Sequence, residues 1–338
     1  IMSTRTITAL LTTYNCERFI KATIDSILSQ TFSDFDFLII DDGSSDDTCK
    51  LIRQYNDPRI TLITHDENKG VGYRLNEALD LIQTPYIVKV DGDDLSLPTR
   101  FVEQLSYLQS HPNVALVKCY IEYFTTDPQV ERSDRFRQFQ EEKAPLLNSI
   151  NTIEKIREEL LRWCCVTHST YFARSDVIKQ LGYAERRMGE DYDLFYRAIK
   201  AGFDIGCVPK CLLKVRLSDS STTTLNSSTD AFANMLVELK LAEIEKIVDK
   251  HGALYLYGRG QLSKALAKCF AARGYPINGF IDKTAGRETI EDTTLCVFEH
   301  SPTQYGGVII AAQPVREKVR KSLSCAGWRE WDDFLVIA

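Results

Sequence analysis

The chain lacks any run of about eighteen uninterrupted apolar residues, so no membrane-spanning helix is predicted. It shows no charged, apolar and small-residue leader either, and no secretory signal peptide is read from it. A basic excess is missing too: 41 Lys and Arg stand against 47 Asp and Glu, a formal net charge of −6. That balance argues against nucleic acid as a partner, because phosphate backbones are held by positive faces. A phosphorylated ligand would have to be met locally, through a metal ion or a single Arg. Ten cysteines are present, but their spacing forms no tight disulfide framework. The spaced pair Cys207-x₃-Cys211 has no second pair or His cluster to complete a zinc site. Several cysteines lie in apolar runs, where free Cys behaves as a small hydrophobe. A reducing, cytoplasmic location is expected. Internal repeats and low-complexity tracts are absent.

What is present is an alternation. At 338 residues the length predicts about two domains. Thr6–Thr12 reads as a β-branched strand, and 17–30 carries Phe19, Ile20, Ile24, Ile27 and Leu28 at helical spacing. Phe35–Ile40 is a second strand, and Ser45 is positioned to cap a helix running to about Tyr55. Further strands are predicted at 59–65 and 86–90, with helices at 72–82 and 98–109. Strands alternating with helices predict a parallel sheet with right-handed crossovers. Beyond residue 111 the pattern is mixed. It gives a strand at 114–124, a polar loop at 127–144, a helix at 152–163, a short strand at 170–173 and a helix at 191–201. The Ser/Thr-rich stretch 218–228 reads as a loop, and a helix over about 230–250 as a spacer. From 252 the alternation restarts, with strands at 254–257, 277–281, 307–312 and 334–337.

The chemistry is concentrated where the first four strands end. The apolar run Tyr86–Val90 stops in Asp91-Gly92-Asp93-Asp94. Crowded carboxylates repel one another unless a cation lies between them. Hard oxygens without nearby His or Cys suit Mg²⁺ or Mn²⁺, ions that commonly bridge a carboxylate to a phosphate. The first strand runs into Thr12-Thr13-Tyr14-Asn15, the second into Asp41-Asp42-Gly43-Ser44, and Asn68-Lys69-Gly70 with Arg74 follows the third. In parallel neighbours these groups share one sheet edge, the edge where open α/β folds bind ligands. There an acid can accept from a nucleobase N–H, an aromatic can stack on it, and Arg74 can meet phosphate. Later, Glu190-Asp191 opens a helix whose buried face is predicted from Leu194, Phe195 and Ile199. An acid at a helix start is also favoured by the helix dipole alone.

This ordered set resembles the inverting family 2 glycosyltransferases of GT-A fold, over roughly residues 4–222. The resemblance implies that Thr12, Tyr14 and Asp42 hold the nucleobase and ribose, with Arg74 beside the nucleotide. It implies that Asp91 lies near ribose or donor sugar, that Asp93 binds Mn²⁺ or Mg²⁺, and that Asp191 is the catalytic base. Glu190 and His168 fall where the family contacts acceptor, and Arg216 falls where relatives place a base near the diphosphate. Trp163 occupies the same acceptor-facing stretch and is expected in the core. The implied reaction is transfer of a sugar from a UDP-sugar to a hydroxyl of a saccharide or lipid-linked acceptor, in surface polysaccharide assembly. A lipid-linked acceptor would bring the protein to the inner face of a membrane as a peripheral partner.

The expected architecture is α/β. A GT-A type, Rossmann-like, mostly parallel sheet flanked by helices occupies 4–222, a helical linker 223–251 and a small Rossmann-like domain 252–338. In that last segment Gly258-Arg259-Gly260 and Asp282 form half of a dinucleotide fingerprint, with Ser263 where the third Gly would stand. The segment resembles small Rossmann-like modules attached to sugar-modifying enzymes, which serve as docking elements or as ligand loops. Two other classes of function fit parts of the chain. One is a non-catalytic sugar-nucleotide-binding module, which would need no base at Asp191. The other is an NAD-dependent oxidoreductase using Gly258 and Gly260. The helix at 230–250 also offers a face for a second subunit in a homo-oligomer.

Overall fold

The computed structural model describes residues 5–186, 188–219, 229–301 and 304–338. It divides into two compact units, Ile1–Leu225 and Asn226–Ala338. The first holds an eight-stranded sheet. Its strands are β1 (Ile7–Thr13), β2 (Phe35–Asp41), β3 (Ile60–Thr64), β4 (Tyr86–Asp91), β5 (Leu95–Ser96), β6 (Val114–Phe124), β7 (Phe172–Arg174) and β8 (Asp204–Arg216). Their order across the sheet is β3-β2-β1-β4-β7-β6-β8-β5.

β1 pairs in parallel with β2 and β4, and β2 with β3, so the first four strands end at one edge as their pattern predicts. Their inward residues Ala9, Leu10, Leu11, Ile39, Ile40 and Val88 are fully buried. Burial on both faces explains why these strands read as continuous apolar runs. β7 runs against both β4 and β6. Because it is reversed, the residues that precede β7 lie at the carboxyl edge of β4. β6 and β8 are parallel partners and end at that same edge.

Several boundaries differ from the sequence expectation. The helix expected from Ser45 begins only at Thr48: Ser45 donates both its N–H and its Oγ to Asn15 Oδ1, and Asp47 takes the N-cap position. The expected polar loop at 127–144 is a chain of short helical turns. Asp127 caps Pro128–Glu131, Ser133 caps Asp134–Gln138, and Val130, Phe136 and Leu147 are buried. β8 carries Pro209 at the point where its register with β6 shifts, a bulge that accommodates the missing N–H. The loop expected at 218–228 falls largely outside the described residues.

The second unit contains β9 (Leu254–Tyr257), β10 (Ile277–Asp282), β11 (Gly286–Ile290), β12 (Thr293–Glu299), β13 (Val308–Ile310) and β14 (Phe334–Val336), in the order β11-β12-β10-β9-β13-β14. All pairs are parallel except β11 with β12. The segment expected as a single linker helix is two helices, Thr229–Leu239 and Leu241–His251. They belong to this second unit: Met235, Leu236, Ile244 and Ile247 are fully buried. The fully buried Lys240 between them donates to the Val336 and Ile337 carbonyls at 3.0 and 2.8 Å.

Candidate active site

The loops after β1 and β2 are laced together. Asn15 N–H donates to Ser44 Oγ at 2.9 Å, Ser45 N–H to Asn15 Oδ1 at 2.8 Å, and Cys16 N–H to Thr48 Oγ1 at 2.8 Å. Thr12 lies in register between Ile40 and Asp91. Tyr14 is half exposed and free to present its ring. Asp41 is consumed by its own turn, accepting from Ser44 N–H and Oγ and from Thr13 Oγ1.

Asp42 is buried and accepts from Lys69 N–H at 2.9 Å, Gly70 N–H at 2.8 Å and Arg74 Nε at 2.7 Å. Arg74 in turn donates to Glu77 Oε2 and to the Glu67 carbonyl. Arg74 is thereby held in an ion pair that ties the turn after β3 to the end of β2. Both residues remain at the predicted sheet edge.

The three acids after β4 have three different environments. Asp91 faces Lys89, whose buried ammonium sits 2.5 Å from Asp91 Oδ1 and 2.8 Å from the Val90 carbonyl. Burial pushes the Asp91 pKa up most strongly, but Lys89 and the positive groups behind it together bring the carboxyl below its usual value. Asp94 turns into the core and accepts from Ser169 Oγ at 2.5 Å and Arg216 N–H at 2.9 Å. Asp93 is partly exposed, and its carboxylate accepts no hydrogen bond from another residue among those described. Burial and then repulsion from Asp91 push Asp93 up to about 6.

A divalent ion fits this arrangement. No group of three or more His, Cys, Asp or Glu side chains set to hold a metal occurs among the described residues. Mg²⁺-type ions commonly take one or two carboxylates and complete their shell with water and substrate phosphates. Asp93, whose carboxylate has no hydrogen-bond partner from another described residue, suits that role.

His168 opens a short 3₁₀ turn before β7, which brings it to the carboxyl edge of β4. The turn is clamped there by the fully buried Arg100, which donates to the Lys89 carbonyl at 3.0 Å and the Ser169 carbonyl at 2.5 Å. His168 Nδ1 lies 3.7 Å from Glu190 Oε1, and its buried Nε2 has no hydrogen-bond partner. Burial and then Lys89 press the imidazole down to about 3, so it is neutral. Glu190 and Asp191 begin the helix Glu190–Lys200, whose Leu194, Phe195 and Ile199 are buried as predicted. Glu190 is pushed up to about 8 by burial and then by Asp191. Asp191 is raised by burial and by Asp91, while Oδ1 accepts from Tyr192 N–H at 2.7 Å.

Arg216 ends β8 beside the same acids. Its Nε donates to the Asp93 carbonyl at 2.9 Å, and its guanidinium stacks on Phe19 and Phe124. Trp163 is buried, as expected for a core residue. Sequence reasoning missed Lys89. The signal was available: a lone Lys in an apolar central strand must be paired, and Asp91 is two residues on, on the same face.

The fold agrees with comparisons to known proteins. A family model described as Glycosyl transferase family 2 matches residues 8–182. The chain is 29% identical over 222 residues to the O-antigen biosynthesis glycosyltransferase WbnJ of Escherichia coli, covering 64% of this chain and 81% of that protein. Among solved structures it resembles S. aureus TarS 1–349 in complex with UDP-GlcNAc, with a TM-score of 0.54 at 16% identity over 78% of this chain and 71% of that one. It also resembles the mannosyltransferase PcManGT of Pyrobaculum calidifontis in complex with GDP-Man and Mn²⁺, with a TM-score of 0.51 at 20% identity over 72% of this chain and 66% of that one. No helix among the described residues is long and apolar enough to cross a membrane. With the family model spanning just over half of its residues, the chain belongs to glycosyl transferase family 2 and is a glycosyltransferase of class EC 2.4.

Proposed function

We propose that this glycosyltransferase moves a sugar from a UDP-sugar to a hydroxyl of a saccharide or lipid-linked acceptor, with inversion, in surface polysaccharide assembly. The observation that carries the reading is the unequal pairing of the acids: Asp91 and Asp94 are hydrogen-bonded by protein groups, and the Asp93 carboxylate has no hydrogen-bond or ion-pair partner from another residue among those described. The WbnJ likeness supports the polysaccharide setting, and TarS and PcManGT supply precedents for a nucleotide-sugar and a divalent ion on this fold.

On this reading Thr12, Tyr14 and Asp42 shape the nucleoside site, and Arg74 acts by holding Asp42. Asp91 faces ribose or donor sugar, and Arg216 braces the loop beside the diphosphate. Asp93 would hold Mn²⁺ or Mg²⁺, which when bound supplies a Lewis acid for the charge on the diphosphate. Asp191 is the base. Its Oδ1 is engaged by Tyr192 N–H, so Oδ2 takes the proton from the acceptor hydroxyl. The acceptor oxygen bonds to the anomeric carbon as the bond from that carbon to the phosphate oxygen breaks. UDP then departs with the electron pair. Glu190, protonated at neutral pH by its value of about 8, offers a hydrogen bond to the acceptor, with His168 packed behind it.

Calorimetric titration with UDP, with and without Mn²⁺, tests the reading. Metal-dependent binding in the wild type that is lost in Asp93→Ala is expected, and UDP failing to bind under any condition would overturn it. In Asp191→Asn, turnover should fall by about 10²–10⁴ while UDP affinity is unchanged.

A further inference from the structure

The second unit has a cleft of about 670 Å³ at the carboxyl edge of its sheet. Small-molecule sites commonly occupy about 300–1,000 Å³. The cleft opens at β9, the strand at which the order reverses between β10 on one side and β13 on the other. Such a switch point leaves a crevice above the strand ends.

The charge in the cleft is one-sided. Arg259, Lys283 and Lys318 line it beside His300, whose pKa is lowered by burial and by Lys318, and Asp282 is the sole acid among its described lining residues. Asp282 is met by Arg259 at 3.3 Å, whereas Lys283 and Lys318 form no ion pair among the described residues. In a chain of net charge −6, this local surplus calls for an anion. The opposite wall, with Ala312, Pro314 and Val315, is apolar.

Two glycines decide the shape of the cleft. Gly258 has φ +102°, and a Cβ there would come within 2.9 Å of Ala312 Cβ, so the chain itself requires glycine. Gly260 is different. Its φ of −69° and ψ of 177° suit any residue, and a Cβ built on it would meet nothing within 4 Å. Neither conformation nor packing within the chain calls for glycine at 260. Its bare backbone at the helix N-cap leaves open space through which a ligand could approach closely. Gly260 precedes the twelve-residue helix Gln261–Ala272, so that approach would be to the unpaired N–H groups of its first turn.

We propose that this cleft binds a nucleoside phosphate, as a second site independent of the one in the first unit. The phosphate sits over Gly260 and the helix start, within reach of Lys318. The base lies against the apolar wall, and Asp282 accepts from the ribose hydroxyls.

Hydrogen exchange of the full chain, read by mass spectrometry, tests this with ADP, GDP, CDP and UDP as probes. At least one should slow exchange in peptides covering 256–263 and 311–322. That protection should vanish in Gly260→Val, whose melting temperature should match the wild type, and in Lys318→Glu. Protection of these peptides by none of the four nucleotides would overturn the proposal. So would equal protection by inorganic phosphate at the same concentration, or protection that survives Gly260→Val. Peptides of the first unit report the donor site separately, so failure of one site does not obscure the other.

Discussion

Lys89 and Asp91 form an ion pair, 2.5 Å from Nζ to Oδ1, within the strand that ends at the candidate donor site. The lysine is almost fully buried while the aspartate keeps about a third of its side-chain surface, so the cation belongs to the protein and the anion to the cleft. Lys89 also lowers the pKa of Asp191, against the upward push of burial and Asp91. Lys89→Met fills the same space without the charge. The base must be ionised to act, so raising its pKa moves the acid limb of the kcat/KM profile to higher pH. A pH–rate profile of the variant checks this; an unshifted acid limb would refute it.

Asp93 and Asp94 are adjacent and should respond in opposite ways. Asp94→Ala leaves Ser169 Oγ and Arg216 N–H unpaired in the core, at a cost of about 1–3 kcal/mol of stability for each lost partner. Asp93→Ala relieves repulsion from Asp91 and should not lower the melting temperature. Its activity should nevertheless fall by about 10²–10⁴, the factor set by a loss of several kcal/mol of charge stabilisation. Thermal melts and turnover of the two variants, measured side by side, separate the roles.

The Arg74–Asp42 pair is about 95% buried on both sides. Removing one partner of such a pair strands a charge, so Arg74→Met should destabilise by about 3–5 kcal/mol. Part of that loss should return in the double variant with Asp42→Asn. Denaturant titration of the three proteins measures the coupling.

Glu190 has a folded pKa of about 8, above the ordinary value of 4.5. The folded state therefore binds this proton more tightly than the unfolded chain. The resulting stability is fully present below about pH 4.5 and is lost as pH rises through about 8. Glu190→Gln cannot ionise. Its melting temperature should exceed that of the wild type at pH 9, and the difference should shrink toward pH 5.

The elements read well from sequence were those with dense apolar patterning. β1, β2 and β4 were legible because both faces are buried, and the helix at 190–200 because Leu194, Phe195 and Ile199 mark one stripe. β8 was not, since Pro209, Lys210 and Lys214 interrupt its pattern and a bulge absorbs them. The β11–β12 hairpin was also missed. Its residues are mostly exposed, and it turns at Glu291, with φ +53°, without glycine or proline at the turn. At the site, residue types marked the edge but not the pairing. Nothing local distinguishes the core-facing Asp94 from Asp93. That difference is made by Ser169 and Arg216, which lie 75 and 122 positions away in the chain.

The reversed strand β7 has an evolutionary consequence. The groups proposed for the donor come from loops ending by residue 94, apart from Arg216, whereas those proposed for the acceptor, His168, Glu190 and Asp191, flank β7 and come from a later stretch. Arg216 apart, the two sets come from separate stretches of the sequence. Selection can therefore rework what receives the sugar while leaving what delivers it largely intact, which lets one scaffold diversify into many linkages.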